Sequence, residues 1–377
     1  MNRVISIGYG RHVFEDGNQE RIRLMACAEA VASYDMILFS KRSHGLKTNT
    51  PSSSLTLHPT NSSNNLKALI DAFVIARRLI KSSKQPVTIT SQDPFETAFV
   101  GILLKKLYGV KLIIQEHGDF FGTPHWRRES LLNRVRYYFG LWALRQADVV
   151  RVVSKRTKER FEARGIKSVV TLSVQIDITP LLQAGTDPTI THLIEQEGFV
   201  FLSVARFVPQ KNLTLLLRAF ATVHQNAPHA KLVLVGKGEE EPRLRTLMSH
   251  FPSATQAAIT ILPWSQGVGS LMRSASAYVL SSNYEGWGRV LIESLVAQLP
   301  IVTTDVGCAG EVVIHNHHGL VVPVDSQAEL TKAMLTLVTD TAYYTQIKKN
   351  LSLLDTRTIP GTDSESYASH WADIFGR

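Results

Sequence analysis

Short apolar runs alternate with longer amphipathic stretches along almost the whole chain. In the first half the runs at 4–7, 36–39, 87–90, 112–115, 149–153 and 169–172 have the length and the Val/Ile content of buried strands. Between them, 20–33, 66–81, 94–107, 129–146 and 155–163 carry apolar residues at helical spacing. A second series starts near Phe199, with strands expected at 199–205, 231–235, 258–262, 277–280, 301–304 and 320–322. The stretch 48–65, rich in Ser, Thr and Asn, reads as an exposed loop, and 177–197, with Pro180, Gly185 and Pro188, reads as a linker. Strand–helix alternation predicts α/β architecture: two Rossmann-like, doubly wound domains facing each other across a cleft. In such sheets ligands sit at the carboxyl ends of the strands, so the residues just after each run are the ones to inspect.

Length agrees, since 377 residues suit two domains of roughly 180 each. No run of 18 apolar residues occurs, and the opening Met1-Asn2-Arg3-Val4 enters a strand pattern without a secretory signature. Cys27 and Cys308 are far apart and form no metal or redox spacing, so a cytoplasmic protein is expected. The net charge of +9 changes the picture, because it is uneven. Residues 1–180 hold 27 Lys and Arg against 15 Asp and Glu; residues 181–377 hold 14 against 17. The basic half suits an anionic partner, but without zinc spacing, a basic zipper or aromatics interleaved with cations on a sheet, nucleic acid is not expected.

The chemistry concentrates at Glu285-Gly286-Trp287-Gly288-Arg289-Val290-Leu291-Ile292-Glu293. An apolar run and Ser281-Ser282 precede it, and a helical pattern ending at Pro300 follows. A glycine loop between a strand and a helix gathers unpaired backbone N–H groups at the positive end of the helix dipole, which suits a phosphate. Glu293 interrupts an apolar face and needs a partner, which a ligand hydroxyl would supply; alternatively Glu285 caps the turn and Glu293 lies on a solvated face. About eighty residues earlier, the strand at 199–205 ends in Arg206-Phe207-Val208-Pro209-Gln210-Lys211-Asn212, where two cations across a Pro turn can converge on one anion.

These segments resemble the E-x7-E motif and the R-x4-K diphosphate clamp of the retaining glycosyltransferases of family 4, the group 1 glycosyltransferases, which have the GT-B fold. Gly236-Lys237-Gly238 resembles the family's G-x-G-P turn without the Pro. Pro263-Trp264 stands where the family contacts the nucleobase, and 297–307 followed by Glu311 completes a likeness over roughly residues 200–335. The resemblance implies a donor site of Arg206, Lys211, Pro263, Trp264, Glu285, Gly286, Trp287, Gly288, Arg289, Val290 and Glu293. Within it, Arg206 and Lys211 hold the donor diphosphate, Glu285 a sugar hydroxyl and Glu293 the ribose. In the first half, His117 follows the strand at 112–115, and the resemblance places such a His near the reacting sugar. Asp119 is the candidate for acceptor contact. Gly17-Asn18-Gln19-Glu20-Arg21 resembles the family's Gly-Gly-x-Glu-Arg closing loop, with Asn18 in place of the second Gly. Gly8-Tyr9-Gly10 lacks the third Gly of a dinucleotide fingerprint, so no NAD is expected.

A GT-B enzyme divides here into 1–180 plus 363–377 as the acceptor-binding domain and 181–362 as the donor-binding domain, with a last helix at 364–375 crossing back. The implied activity is metal-independent transfer of a hexosyl unit, with retention, from a nucleotide diphosphate sugar to a lipid-linked or saccharide acceptor in cell-surface polysaccharide or glycolipid synthesis. No Asp-x-Asp occurs, and no cofactor is expected. The basic and aromatic stretch from Trp126 to Phe139, with Arg127, Arg128, Arg134 and Arg136, either lies on an anionic membrane at the inner face of the plasma membrane or packs on the core with its cations solvated. A nucleotide-sugar epimerase and a non-catalytic sugar-nucleotide binding module are the competing functions.

Overall fold

The structure, a computed structural model, describes residues 2–179, 181, 198–264 and 268–376. It divides into two units, Met1–Gln175 with Asp363–Arg377, and Ile176–Thr362. In the first, β1 (Arg3–Gly8), β2 (Ser33–Leu38), β3 (Leu55–Pro59), β4 (Val87–Ser91), β5 (Lys111–Glu116), β6 (Val149–Val152) and β7 (Val169–Thr171) pair in parallel in the order β3-β2-β1-β4-β5-β6-β7. The intervening helices are α1 (Gln19–Glu29), α2 (Asn65–Ser82), α3 (Glu96–Tyr108), α4 (Pro124–Glu129), α5 (Leu131–Leu144) and α6 (Lys155–Ala163). The second unit repeats the plan. Its strands β8 (Phe199–Val204), β9 (Ala230–Val235), β10 (Ile259–Leu262), β11 (Ala277–Leu280), β12 (Ile301–Thr304) and β13 (Gly319–Val322) form a parallel sheet in the order β10-β9-β8-β11-β12-β13. Its helices are α7 (Leu213–Asn226), α8 (Glu241–Ser249), α9 (Ser253–Ala257), α10 (Val268–Ser274), α11 (Arg289–Val296), α12 (Gln327–Thr339) and α13 (Thr341–Ser352). Strand order reverses at β1/β4 in one sheet and at β8/β11 in the other, and a crevice opens at the carboxyl end of each such pair.

Both sheets are buried on two faces, which is why their strands are near-continuous apolar runs. Phe201, Leu216, Phe220, Leu234, Val279 and Met334 fill the second core. The first core joins Val4, Met36, Leu38, Leu55 and Leu57 to Trp371 and Phe375 of a last helix, α14 (Ser364–Phe375). Trp371 stacks on Phe375 at 4.7 Å and tilts against Tyr34 at 5.3 Å. Several helices start on a side-chain cap: Asn64, Ser130, Ser154, Asn212, Ser326 and Asp340 each accept from an amide of the first turn, a contribution of about 1 kcal/mol apiece.

Two expectations are corrected. The segment 48–65, read as a loop, contains β3, whose Leu55 and Leu57 point into the core; two apolar residues alternating among Ser and Thr are too faint a pattern to stand out. The helix expected at 129–146 starts only at Leu131, because Ser130 leaves the helical region and caps α5 by accepting from the Asn133 amide, and Glu129 instead ends the separate short helix α4. Of the linker stretch 177–197, residues 180 and 182–197 lie outside the described residues.

Candidate active site

At the β8/β11 switch point two loops are tied together. Below them, the Tyr278 hydroxyl of β11 donates to the Val204 carbonyl at 3.0 Å. Pro209–Lys211 makes one 3-10 turn, and the Asn283 amide donates to the Gln210 carbonyl at 2.8 Å. Gln210 Nε2 donates to the Tyr284 carbonyl at 3.0 Å, and Ser281 Oγ to the Lys211 carbonyl at 2.9 Å. This lacing brings Lys211 Nζ onto Glu285 Oε1, where Ser282 Oγ also donates at 2.7 Å. Both charged side chains are largely buried, so the ion pair is weakly screened. Glu285 Oε2 has no hydrogen bond among the described residues and is free to accept from a ligand hydroxyl.

Arg206, two residues past β8, is exposed, and its guanidinium has no ion pair or hydrogen bond among the described residues. Its backbone is fixed nonetheless. Phe207 N donates to the Lys237 carbonyl at 2.9 Å, and Glu240 N to the Phe207 carbonyl at 3.0 Å. That close approach requires Gly236, at φ +146°, where a Cβ would sit 1.9 Å from the Ala205 carbonyl oxygen. The Gly-Lys-Gly turn is therefore a packing device that aims Arg206.

Past Glu285, the amides of Gly286, Trp287 and Gly288 donate to nothing among the described residues. Gly288, at φ +79°, caps α11 without a side chain, so the loop presents free N–H groups at a helix N-terminus, with Arg289 and Val290 as its first turn. Trp287 is buried and anchors the loop, although its indole N–H has no partner; its carbonyl accepts from Cys308 N at 2.9 Å. Gly307, at φ +58°, permits this, because a Cβ there would lie 2.5 Å from that carbonyl oxygen. Glu293, just over one turn into α11, is half-buried, and burial raises its carboxyl above the ordinary value while Arg289, 4.0 Å away, opposes the shift. Pro263 and Trp264 follow β10, with Trp264 exposed.

In the first unit, His117 follows β5 and meets a residue the sequence reading missed. Arg151, buried in β6, donates from Nη1 to His117 Nδ1 at 2.9 Å and to Gln115 Oε1 at 3.3 Å, and from Nη2 to the Ser173 carbonyl at 2.8 Å. A guanidinium can only donate, and Arg151 Nη1 lies 2.9 Å from Nδ1 and 3.3 Å from Nε2, so it faces a ring lone pair and the imidazole is neutral, with one N–H to donate. Desolvation by the surrounding protein, and next the Arg151 cation, hold the His117 pKa well below its usual value; the ring is densely surrounded but still opens to solvent. It lines a cavity of about 280 Å³ with Arg23, Gln92, Gln115, Arg151 and Tyr367. The missed signal was an Arg within Val149-Val150-Arg151-Val152-Val153, since a cation on a buried strand demands partners.

Asp119, expected to touch an acceptor, is buried, sits at φ +52° and pairs one carboxylate oxygen with Arg160, a bond that holds the loop. Glu116 does the same from below, accepting from the amides of Gly118 at 3.1 Å and Phe120 at 3.0 Å. Burial, then the neighbouring Asp119, push the Glu116 carboxyl up to about 8. A carboxyl raised on folding binds its proton more tightly in the native state, so its contribution falls as pH rises from the ordinary carboxylate range to about 8. Glu116→Gln is expected to flatten the decline of urea-unfolding stability across that interval; an unchanged slope would assign the decline to other groups. Asn18 also has a local explanation: its side chain caps α1 by accepting from Glu20 N at 2.9 Å, and Gly17 before it, at φ +75°, faces open space.

The family model described as glycosyl transferases group 1 matches residues 190–352, and that for glycosyltransferase family 4 matches 32–177, so between them they span most of the chain. A Methanocaldococcus jannaschii glycosyltransferase is 24% identical over 238 residues, 60% of this chain and 57% of that relative. A Campylobacter jejuni alpha-1,4-N-acetyl-D-galactosaminyltransferase, named for a diphospho-undecaprenol-linked saccharide, is 26% identical over 284 residues, 74% of this chain and 72% of that protein. The structure of sucrose-phosphate synthase from Thermosynechococcus elongatus superposes with a TM-score of 0.78 over 100% of this chain and 98% of that one, at 18% identity, and so shares the fold. Two parallel-sheet α/β units with these matches lead to one assignment: the chain belongs to the group 1 glycosyltransferases, of the family 4 type with the GT-B fold.

Proposed function

We propose that the chain is a retaining, metal-independent hexosyltransferase that takes its sugar from a nucleotide diphosphate donor and passes it to a lipid-linked or saccharide acceptor in polysaccharide or glycolipid synthesis. The observation that carries this reading is the grouping at one switch point of Lys211 against Glu285, the exposed Arg206 and the unpaired amides of 286–288. Arg206, Lys211 and those amides stabilise negative charge on the leaving diphosphate as it develops, a role a divalent ion would otherwise fill. Glu285 Oε2 accepts from a sugar hydroxyl, and Glu293, kept half-buried on α11, from the ribose. Pro263 and Trp264 lie against the base. As the anomeric carbon parts from the diphosphate oxygen, the acceptor oxygen bonds on the same face and gives its proton to the leaving phosphate. In the first unit neutral His117 donates to the sugar or the acceptor, with the Arg151 cation keeping the ring uncharged. The same reading places the protein in the cytoplasm, meeting its acceptor at a membrane.

Thermal shift against a panel of nucleotide sugars tests the donor site. A ligand at a hundred times its Kd stabilises the fold by about 2.7 kcal/mol, so one or two of the panel are expected to raise Tm while the rest do not. EDTA is expected to leave that shift and transfer intact; loss of transfer restored by a divalent ion would remove the metal-independent reading. Incubation with donor alone should give no epimerised sugar.

A further inference from the structure

Three neighbouring helices of the first unit expose apolar stripes. On α2 the stripe is Leu66, Ile70 and Val74, on α3 Phe99, Leu103 and Leu107, and on α5 Leu131, Val135, Tyr138 and Trp142, each at helical spacing of three or four. Leu66, Leu131, Val135 and Tyr138 are between 66% and 75% exposed, values that only a face with nothing on it gives. Helix α3 packs between the other two, with Phe99 against Phe139 of α5, so the stripes form one ridge rather than scattered residues. Cations border it. Arg77, Arg78 and Lys81 continue the α2 stripe, Lys106 lies over the Trp142 ring at 5.9 Å, and Arg128, Arg134 and Arg145 are exposed on and beside α5. Trp126 is buried among Phe95 and Phe120, and Arg136 is paired with Glu96, so the ridge is not the single basic helix that the sequence suggested.

At the edge of this ridge lies a cavity of about 400 Å³, lined by Tyr9, Arg11, Lys41, His44, Glu96 and Arg136 and reaching α2 at Asn65, Ala68 and Leu69. It touches all three helices within a turn of Leu66, Phe99 and Val135. Its charge is unbalanced: Glu96 is taken by Arg136, while Arg11 contacts His44 at 3.1 Å and Lys41 is exposed beside them without an ion pair among the described residues. Slight desolvation, then Arg11 and Lys41, hold the His44 ring below its ordinary pKa, as a local excess of positive charge does. An apolar ridge with a basic border is the chemistry of a surface that enters an anionic bilayer, and a cationic cavity at its margin lies where a lipid phosphate would be.

We propose that the ridge of α2, α3 and α5 seats this unit on an anionic lipid bilayer, with the Arg11–Lys41 cavity receiving the phosphate of a membrane lipid. The proposal deepens the acceptor reading, resting on it only in treating that lipid as acceptor; binding to vesicles needs no turnover and is measured separately from it. Vesicles of phosphatidylcholine with and without 30% phosphatidylglycerol serve as probe; the full chain is expected to partition at least about tenfold more onto the anionic ones at low salt, and less as salt rises. Trp142 should be quenched by brominated acyl chains, and Trp142→Phe should remove that part of the quenching. Leu66→Gln/Ile70→Gln/Leu131→Gln/Val135→Gln should lose vesicle binding while keeping the parent's far-UV circular dichroism and its cooperative urea unfolding, which shows that both units are folded. Arg11→Ala/Lys41→Ala should retain binding to the bilayer but lose part of the preference for anionic over neutral vesicles, the border cations keeping the rest, with an unchanged preference removing the cavity from the proposal, and 10 mM inorganic phosphate should not displace the protein. Equal binding to both vesicles, unchanged binding of the ridge variant, release by free phosphate, or a ridge that instead makes a dimer dissociated by the same substitutions would each overturn it.

Discussion

Lys211→Ala is expected to reduce kcat/KM for sugar transfer by about 2–4 kcal/mol, roughly thirty- to a thousandfold, and to destabilise the fold as well. The second effect comes from its partner. Glu285 is buried, and without the ammonium it keeps only the Ser282 hydroxyl on Oε1, leaving a poorly compensated charge whose isolation costs about 3–5 kcal/mol. From sequence alone Arg206 and Lys211 look equivalent, and little effect on folding is expected from either; the ion pair with Glu285 alters that for Lys211. Lys211→Met/Glu285→Gln, which removes both charges at similar volume, should recover most of the lost stability in urea unfolding and none of the lost transfer. If the pair of substitutions recovers transfer too, the ion pair is structural and neither residue meets donor.

Arg206→Ala separates the two contributions from the other side. The guanidinium is exposed and unpartnered among the described residues, so its removal strands nothing, and unfolding should change by no more than about 0.5 kcal/mol. Transfer should still fall by about 2–4 kcal/mol, because a preorganised cation facing the leaving diphosphate acts in the transition state. Its orientation comes from Phe207 and the turn at Gly236 rather than from side-chain partners, so Arg206→Lys should recover only part of the loss. Near-normal turnover in Arg206→Ala would remove the diphosphate assignment from this end of the clamp.

The sequence revealed the repeat of strand and helix because two-sided burial writes strands as unbroken apolar runs, and it revealed the switch-point loops because glycines and charges there interrupt such runs. It did not reveal β3, since an edge strand needs only Leu55 and Leu57 to face the core. Nor did it separate Glu285 from Asp119. Both are buried carboxylates in loops after strands, yet one is paired with Lys211 beside the unpaired amides of 286–288 and the other is turned onto Arg160 by a left-handed backbone. Such differences lie in direction, which a linear pattern does not encode. The apolar ridge was invisible for a related reason: on a helix packed against a sheet, inward and outward stripes have the same spacing, and only the structure shows that α2 buries Ala68, Ala72 and Ala76 while leaving Leu66, Ile70 and Val74 outside.

Trp371 and Phe375 belong to the core of the first unit, although the whole second unit is synthesised between them and the rest of that core. As the chain leaves the ribosome, β1 to β7 can pair, but Val4, Tyr34 and Met36 keep an apolar face uncovered until the final helix emerges. The N-terminal unit is then the last to finish folding, reversing the usual vectorial order. During the interval it is the part most in need of a chaperone, and a released chain truncated before residue 363 would leave it protease-sensitive while the second unit is resistant.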